Sequence, residues 1–443
     1  KAQREGVLTT IEAAFNKLDQ PMALGYSSAG VVIEVGAGVT GFKPGDRVAC
    51  AGGGFAVHAE YALVPQNLAV HLPDSVDFES AAFTTLGAIA MQGFRLAAPQ
   101  VGESVCVIGM GLLGLLTAQI ARASGCSVLG ADVSSERVQL AERLGFKAAL
   151  NGSIPDLYPG MTGGKGFDHV IICADTSSNE PVELAGLIAR DRATVVATGA
   201  VGLQIPRKVY YEKELNLKIS RSYGPGRYDP QYEEGGVDYP LGYVRWTEGR
   251  NLQSFVDLMA GGNVDVKPLI THRFNIEQGA QAYDMLTGKT HEPFLGVLLL
   301  YPQKETPDAR AHQVFLDQTQ RPVPEKVRLG VLGAGNYAQA VFLPILKNTG
   351  RAELTGIATA SGLTAKSAAS KFGFRYASSS EEELLHDAEV TTVVILTRHQ
   401  HHSRQVLTAL QQGKTVYCEK PLALDLAQLE EVEQQLQAKD CPM

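Results

Sequence analysis

The chain has 443 residues, of which 45% are hydrophobic and 19% charged, enough apolar side chains for about three ordinary globular domains of ~150 residues each. Its 39 basic and 47 acidic residues give a formal charge of -8, which excludes a generally basic surface for nucleic acid or anionic lipid. The sequence shows no apolar run of ~20 residues, no signal-peptide pattern and no CxxC pair among its six cysteines, so we expect no membrane segment and a cytoplasmic location.

Both termini suggest a piece of a longer protein. The sequence begins at Lys1 without a methionine, and its last predicted helix, residues 425–438, ends just before the C-terminus. We therefore expect additional residues at each end.

A first glycine cluster, GAGVTG at residues 36–41, has dinucleotide-turn spacing and follows the apolar segment GVVIEV. The residues after it include Pro44 and Gly45 and do not begin a helix. Since a pyrophosphate is held by the free amides and dipole of a helix N-terminus, we predict a hairpin or loop here that binds no nucleotide.

A second cluster, GMGLLG at residues 109–114, follows the continuous apolar strand ESVCVIG and precedes a helix that runs to Gly125. Each glycine has a predicted role: a tight turn, close approach of the backbone to the pyrophosphate, and close packing of the helix on the strand. The predicted cofactor-binding residues here are Gly109, Gly111, Leu112, Leu113 and Gly114.

The next strand, CSVLGAD, ends at Asp132, about 20 residues beyond Gly114, as expected for a carboxylate that accepts hydrogen bonds from the adenosine ribose. Because a carboxylate repels a 2'-phosphate, this half is predicted to prefer NAD(H). Later strands continue the sheet, and four residues at strand ends are weaker candidates for the cofactor crevice: Asp175, Thr176, Thr198 and Gly199.

Two segments interrupt this regular alternation. Residues 222–246 are rich in tyrosine and glycine and contain the single tryptophan, Trp246. Their aromatic rings are suited to stacking on a sugar, and the alternative is a loop that packs against the first sheet. Residues 301–326 contain four prolines and little apolar periodicity, which predicts a linker.

A third cluster, GAGNYA at residues 333–338, has its own strand, VRLGVLG, and a predicted helix over residues 336–347. The following strand ends near Thr359 without an acid, so the second half is expected to bind NAD or NADP. The predicted cofactor-binding residues of this turn are Gly333, Gly335, Asn336, Tyr337 and Ala338.

The segment TRHQHHS places three histidines close together after the strand VTTVVILT. His401 and His402 are neighbours, and no cysteine or carboxylate joins them at a zinc spacing, so a metal site is not favoured. We predict instead a cofactor-facing strand end at Thr397, with one imidazole near the nicotinamide.

Residues 1 to about 302 resemble the medium-chain dehydrogenase/reductase family of zinc-type alcohol dehydrogenases. The resemblance rests on GYSSAGVVIEVGAGVTGFKPGDRV, HAEYALVP, the fingerprint with Asp132, and VKPLITHRFNIEQGAQAYDMLTG. It implies a GroES-like catalytic domain over residues 1–87, a Rossmann domain over residues 88–265 and a return segment over residues 266–302.

This chain departs from that family at the zinc ligands. Catalytic-zinc members have Gly-His-Glu where Gly25, Tyr26 and Ser27 stand, and Thr84 or Thr85 takes the place of a further ligand. The structural-zinc lobe is also missing, so we expect no zinc. Hydride transfer then needs another proton donor, and the unranked candidates are Tyr26, Ser27, His58 and Thr84.

Residues 326–443 resemble the N-terminal domain of the Gfo/Idh/MocA oxidoreductases, on GVLGAGNYA and GKTVYCEKPLAL, and residues 303–325 separate the two modules. The resemblance implies that Lys420 and His402 are catalytic and that Glu419 and Lys420 contact the cofactor. The family's Pro-Asn pair is replaced here by Arg398 and His399. Its substrate domain would begin where this sequence ends.

These features together predict an α/β chain with a partial GroES-like β-barrel and two Rossmann-type doubly wound parallel sheets. The arrangement is similar to bacterial bi-domain oxidoreductases associated with surface polysaccharides.

The leading hypothesis is a two-module NAD(P)-dependent oxidoreductase acting on a hydroxyl or keto carbon of a sugar derivative, with epimerisation through a keto intermediate as one route. The alternatives are a zinc-free carbonyl or enoyl reductase with a regulatory domain, and a non-catalytic NAD(P)-binding sensor or scaffold. The expected partner is a small carbohydrate-like substrate, without nucleic acid or membrane, and a homo-oligomer is left open.

Overall fold

A computed structural model describes residues 22–302, 313–315 and 327–438. The described residues divide into two compact units, one over residues 23–302 and the other over residues 313–315 and 327–438. Across these residues, none of the helices is both long and apolar enough to cross a bilayer.

The first unit begins with a small antiparallel sheet of three strands. They are β1 (Ser27–Val31), β2 (Arg47–Ala51) and β3 (Ala69–His71), in the order β1-β2-β3. The GAGVTG cluster lies in the connection between β1 and β2, where Gly38 and Gly41 have φ angles of +87° and +89° that favour glycine. The predicted hairpin connection is therefore confirmed, and the absence of nucleotide binding there stays a prediction.

A six-stranded parallel sheet follows. Its strands are β4 (Ser104–Ile108), β5 (Ser127–Asp132), β6 (Lys147–Leu150), β7 (Phe167–Ile172), β8 (Ala189–Ala197) and β9 (Asn216–Ile219). Their spatial order is β6-β5-β4-β7-β8-β9. Starting from β4, the chain first adds strands on one side and then, from β7 onward, on the other side. The carboxyl ends of these two strands therefore flank the crevice in which doubly wound sheets bind ligands.

Helices accompany these strands. They are α1 (Phe78–Ala81), α2 (Thr84–Ala97), α3 (Leu112–Ala123), α4 (Ser135–Arg143), α5 (Ile154–Thr162), α6 (Glu180–Ile188), α7 (Arg207–Glu212), α8 (Pro230–Glu233) and α9 (Glu248–Ala260). Strand β4 shows why its sequence is apolar throughout: Val105 and Val107 pack into one hydrophobic cluster, and Cys106 and Ile108 pack into the other. Both faces of the sheet are thus covered.

The return segment adds a separate pair of parallel strands. These are β10 (Ile270–Asn275) and β11 (Gly296–Leu300), with helix α10 (Gly279–Leu286) between them. The barrel-like part of the first unit is therefore represented, in the residues described, by one three-stranded and one two-stranded sheet.

The second unit contains another six-stranded sheet. Its strands are β12 (Gln313–Phe315), β13 (Val327–Leu332), β14 (Ala352–Ala358), β15 (Tyr376–Ser378), β16 (Thr392–Ile395) and β17 (Thr415–Cys418). The spatial order is β12-β15-β14-β13-β16-β17. Strands β13 and β16 are parallel neighbours, and successive strands of the chain are added on opposite sides of this pair. The predicted α/β fold with two Rossmann-type sheets is confirmed.

The helices of the second unit are α11 (Leu343–Thr349), α12 (Gly362–Phe372), α13 (Glu381–His386), α14 (His402–Gln411) and α15 (Leu426–Ala438). The predicted helix after GAGNYA does begin at Asn336, but it contains a π-helical turn, Ala338–Phe342, before α11. The predicted linker is also not uniformly a linker, because Gln313–Phe315 pairs antiparallel with β15. The rest of residues 303–325 lies outside the described residues.

Candidate functional site

The glycine turn of the first unit lies at the reversal point of its sheet. Gly109 directly follows β4 with φ +96°, and a Cβ atom there would lie 2.6 Å from the backbone nitrogen of Ala174. Any side chain would therefore push β4 away from the segment after β7. The turn needs glycine for both its conformation and its close approach.

The other two glycines of this turn differ in the space around them. A Cβ atom on Gly114 would lie 1.8 Å from the carbonyl oxygen of Gly109, so helix α3 packs directly on the turn. A Cβ atom on Gly111 would contact only the flexible end of Arg137, at 3.5 Å. Gly111 precedes the first residues of α3, Leu112 and Leu113, whose amide groups have no partner within the helix. This geometry fits a pyrophosphate above Gly111.

Asp132 occupies the expected place at the end of β5, but its carboxylate also has a backbone role. The side chain is 3% exposed and accepts hydrogen bonds from the amides of Met110, at 2.6 Å, and Ser134, at 2.8 Å. It thereby ties the glycine turn to β5. Because a carboxylate has about four acceptor positions, the predicted ribose contact remains compatible with these bonds.

Sequence reasoning missed Arg137, which projects from α4 toward this turn. Its Nη1 atom lies 3.9 Å from Oδ2 of Asp132 and also borders the space above Gly111. Arg137 stands five residues after the strand-end acid, and this short spacing is the signal in the sequence that could have found it.

Two of the weaker candidates also lie on this edge. Thr198 directly follows β8, and its buried hydroxyl has no hydrogen-bond partner among the residues described. Gly199 is close to the segment after β7, because a Cβ atom there would lie 2.0 Å from the carbonyl oxygen of Ala174. Both positions border the crevice, whereas Asp175 is exposed.

The residues at the family's zinc-ligand positions do not fit a metal. The Ser27 hydroxyl donates to the Ala82 carbonyl and the Thr84 hydroxyl to the Ala81 carbonyl, each at 2.7 Å. The Thr85 hydroxyl lies 3.3 Å from the Tyr26 carbonyl. The described parts of the chain also contain no group of three or more His, Cys, Asp or Glu residues placed to hold a metal ion. The expectation of a zinc-free protein stays a prediction.

Among the proton-donor candidates, Tyr26 and His58 lie together with a residue that sequence reasoning missed, Tyr283. The Nε2 atom of His58 is 3.1 Å from the Tyr283 hydroxyl. Burial lowers the pKa of His58, and burial followed by the proximity of Tyr283 raises the pKa of Tyr26. Tyr283 lies in α10, 225 residues from His58, and no local pattern indicates this pairing.

The second glycine turn repeats the geometry of the first. Gly333 has φ +95°, and a Cβ atom there would lie 2.7 Å from the Leu396 carbonyl oxygen and 3.0 Å from the Thr397 nitrogen. A Cβ atom on Gly335 would have no neighbour within 4 Å among the described residues, and Ala338 is buried where the helix packs. The open space lies over the middle residue of the turn, as it does at Gly111.

His402, predicted to be catalytic, is fully buried at the start of α14. Its Nδ1 atom lies 2.8 Å from the Pro421 carbonyl oxygen, and its Nε2 atom lies 3.1 Å from the Thr397 carbonyl oxygen. Both ring nitrogens thus lie within hydrogen-bonding distance of backbone carbonyl oxygens. This placement favours a role in positioning the segments after β16 and β17.

The remaining predicted residues of the second unit lie after those same strands. The Thr397 hydroxyl is 2.6 Å from Oε1 of Gln405, and Lys420 is exposed. Glu419 accepts a hydrogen bond from Tyr417 at 3.2 Å, and hydrogen bonding to Glu419 raises the pKa of Tyr337. The glycine turn and the segment Glu419, Lys420 and Pro421 therefore lie together at one edge of the sheet. Their roles in cofactor binding stay a prediction.

The histidine-rich segment does not assemble a metal site. The His399 and His402 rings are 5.6 Å apart in an edge-to-face arrangement, and His401 lies near Glu381.

Thr359 directly follows β14, at the place where the predicted ribose-binding acid is found in the first unit. Its short side chain donates a hydrogen bond from the hydroxyl to the Ser361 carbonyl at 2.6 Å.

The fold and the two glycine turns define a dinucleotide-binding oxidoreductase. Three family models match the chain: an alcohol dehydrogenase GroES-like domain at residues 4–74, a zinc-binding dehydrogenase at residues 113–234, and an oxidoreductase family with an NAD-binding Rossmann fold, Gfo/Idh/MocA, at residues 327–443. These matches confirm the predicted combination of modules in one chain.

Known proteins similar to the first unit agree with this classification. Sorbitol dehydrogenase 1 of Saccharomyces cerevisiae is 30% identical over 302 residues, which cover 60% of this chain and 78% of that protein. Probable D-xylulose reductase A of Aspergillus terreus is 28% identical over 301 residues, covering 59% and 78%. The crystal structure of galactitol-1-phosphate dehydrogenase from Escherichia coli aligns with a TM-score of 0.52 and 25% identity, covering 63% of this chain and 84% of that structure.

The chain belongs to the zinc-type alcohol dehydrogenase family of medium-chain dehydrogenases, and it carries a Gfo/Idh/MocA nucleotide-binding domain as well. It is an NAD(P)-dependent dehydrogenase.

Proposed function

We propose that the chain is a two-module oxidoreductase in which each module binds one dinucleotide and transfers hydride to or from a hydroxyl or keto carbon of a polyol or sugar derivative. The observation that carries this proposal is the repeated turn geometry, with open space over Gly111 in one sheet and over Gly335 in the other. The names of the relatives, sorbitol dehydrogenase and xylulose reductase, support a polyol or ketose as the substrate class.

The strand-end residues support a cofactor preference for the first module. Asp132 presents a buried carboxylate at the end of β5, and a carboxylate at this place favours the ribose hydroxyls of NAD(H) over a 2'-phosphate. The second module has Thr359 at the corresponding place, and there both NAD(H) and NADP(H) fit. The bound dinucleotide supplies the hydride acceptor or donor.

Proton transfer in the first module is assigned to Tyr26 or to the hydrogen-bonded pair of His58 and Tyr283. The Ser27 and Thr84 hydroxyls donate to backbone carbonyls, so these two candidates are less suited to give a proton to substrate. A tyrosine hydroxyl joined to an imidazole can pass a proton between substrate and the ring. His58 therefore relays the proton through the Tyr283 hydroxyl, or Tyr26 holds it directly.

In the second module, Lys420 is the group proposed to contact substrate. It is exposed at the carboxyl end of β17, where its ammonium group can hydrogen-bond a reacting hydroxyl and assist departure of its proton. The buried His402 holds the Pro421 carbonyl and so fixes the segment that carries Lys420.

The test is calorimetric titration of the full chain with NADH and, separately, NADPH, on the wild type and on Gly111→Val and Gly335→Val. Neither glycine has positive φ, and neither Cβ position meets backbone, so each valine should fold while it occupies the space for a phosphate. We expect two binding sites in the wild type and loss of one different site in each variant.

Gly152→Val is the matched control, because Gly152 also has open space at its Cβ position but lies outside both turns. It should retain both sites. A wild type with a single dinucleotide site, or a Gly335→Val variant with unchanged binding, would contradict the two-module proposal.

A further inference from the structure

The segment of residues 220–248 contains a second group of chemically notable residues. It begins directly after β9, at the carboxyl edge of the first sheet where ligands of this fold bind. It packs against the turn before β3, since the Asn67 side chain donates to the Tyr232 carbonyl at 2.8 Å. It also contacts α2, since a Cβ atom on Gly224 would lie 3.0 Å from Oε1 of Gln92. The segment is therefore a folded part of the unit.

Besides the Ser220 hydroxyl, three side chains in this segment have buried polar atoms without a hydrogen-bond partner in the described part of the chain. They are the hydroxyl of Tyr223, the Nε of Arg227 and both carboxyl oxygens of Glu248. Tyr223 is 3% exposed and Glu248 is 0% exposed. A buried polar group that lacks a partner costs about 1–3 kcal/mol, so we take these three side chains as candidates for hydrogen bonds to a bound molecule.

We call Tyr223, Arg227 and Glu248 the insert cluster. Its members interact electrostatically with one another, and the Arg227 guanidinium lies 5.4 Å from the centre of the Tyr223 ring. The Arg227 side chain is 14% exposed. A Cβ atom added to the exposed Gly53 would lie 3.9 Å from the Nη2 atom of Arg227. The cluster thus reaches the surface beside the turn that follows β2.

The charges of the insert cluster are already balanced. The Nη1 atom of Arg227 lies 2.5 Å from Oε1 of Glu233, so the guanidinium is paired. Burial, and then the charge of Glu233, raise the pKa of Glu248 to about 8, so its carboxyl group is neutral at pH 7. An anionic ligand group would find no unpaired positive charge in the cluster.

We propose that Tyr223, Arg227 and Glu248 form a subsite that binds hydroxyl groups of an uncharged polyol, an inference that rests on the proposed function. Arg227 Nε supplies a donor, while the Tyr223 hydroxyl and the neutral carboxyl group each donate and accept. Adjacent hydroxyls of a polyol also donate and accept, so they complement this set. A phosphorylated polyol gains nothing at this subsite, because the guanidinium is paired with Glu233.

The test is titration of the full chain, saturated with NADH so that a bound polyol is not oxidised, with D-sorbitol, xylitol and D-sorbitol 6-phosphate. The variants are Tyr223→Phe and, as a matched control in the same segment, Tyr239→Phe, whose hydroxyl donates to Asp229 at 2.6 Å. We expect binding of at least one uncharged polyol, about 5- to 10-fold weaker binding by Tyr223→Phe as one hydrogen bond is lost, and unchanged binding by Tyr239→Phe. We also expect the phosphorylated polyol to bind no more tightly than sorbitol.

Glu248→Gln provides a second measurement that does not depend on Tyr223. Wild-type affinity for the polyol should fall above pH 8 as the carboxyl ionises, whereas the variant should show no such fall. If the wild type binds two dinucleotides but no polyol, or if Tyr223→Phe binds polyol as tightly as the wild type, the subsite is refuted and the two-dinucleotide part of the proposed function stands. Absence of dinucleotide binding refutes the proposed function itself.

Discussion

Replacing Glu248 with glutamine should make the first unit more stable at neutral and alkaline pH. Glu248 is the first residue of α9 and has no exposed surface. Its surroundings include Arg227, Glu233, Tyr223 and Tyr232. Burial is the largest cause that raises the pKa of its carboxyl group from 4.5 to about 8, and Glu233 adds to the shift. Glutamine keeps the shape and cannot ionise.

The sign follows from which state releases the proton first. Below pH 4.5 the carboxyl is protonated in both folded and unfolded chains, so it makes no difference to the free energy of unfolding. Between pH 4.5 and 8 only the unfolded chain ionises, which lowers wild-type stability by about 1.4 kcal/mol per pH unit. The expected advantage of Glu248→Gln is therefore about 3 kcal/mol at pH 7 and about 4–5 kcal/mol above pH 8.

The single tryptophan provides a local assay. Trp246 lies two residues before Glu248 and stacks against Arg95, whose guanidinium is 3.1 Å from the ring centre. Urea unfolding followed by tryptophan fluorescence at pH 5, 6, 7 and 8 should show a stability gap that widens with pH. Glu142→Gln, on the exposed face of α4, is the control and should show no gap. An equal gap at pH 5 and pH 8 would refute the reasoning.

Three further predictions concern the glycine turn of the first unit, the acid beside it, and the segments after β16 and β17 in the second unit. Gly114→Ala should destabilise the first unit by about 2–3 kcal/mol in urea unfolding, because its Cβ would lie 1.8 Å from the Gly109 carbonyl oxygen, whereas Gly111→Ala should be neutral. Asp132→Asn should cost about 1.5–3 kcal/mol by the same measurement and weaken NADH binding, because both backbone amides lose a charged acceptor and one of them then faces an NH2 group. His402→Ala should lower the stability of the second unit by about 2–3 kcal/mol, because a buried ring is removed and two partly buried carbonyls lose contact with it. Lys420→Met, an exposed change, should leave the melting temperature unchanged.

Three glycine clusters, at residues 36–41, 109–114 and 333–338, differ in the elements that flank them. All three clusters have suitable spacing, but only the clusters at residues 109–114 and 333–338 stand between an apolar strand and a helix. The discrimination succeeded because strand, turn and helix are encoded within about 30 consecutive residues. The short strand Gln313–Phe315 was not predicted, because it is held by pairing with β15, which is distant in sequence.

The side-chain contacts of the candidate site could not be predicted from local sequence. The sequence located Asp132 and His402 at the correct strand and helix ends, but their hydrogen bonds to Met110, Ser134 and Pro421 depend on how separate elements pack. The His58 and Tyr283 pair joins residues 225 positions apart. Side-chain partners across such separations leave no periodic or local signal.

The sequence by itself determined the two Rossmann-type modules and their glycine turns, since each of these depends on residue type and short-range spacing. Only the tertiary structure decided which side chains are available for chemistry. It turned the Ser27 and Thr84 hydroxyls toward backbone carbonyls, buried His402, and enclosed Glu248 beside Arg227 and Glu233. The physical reason is that burial and hydrogen-bond partnership are set by contacts between distant segments, and these contacts exist only after the chain has folded.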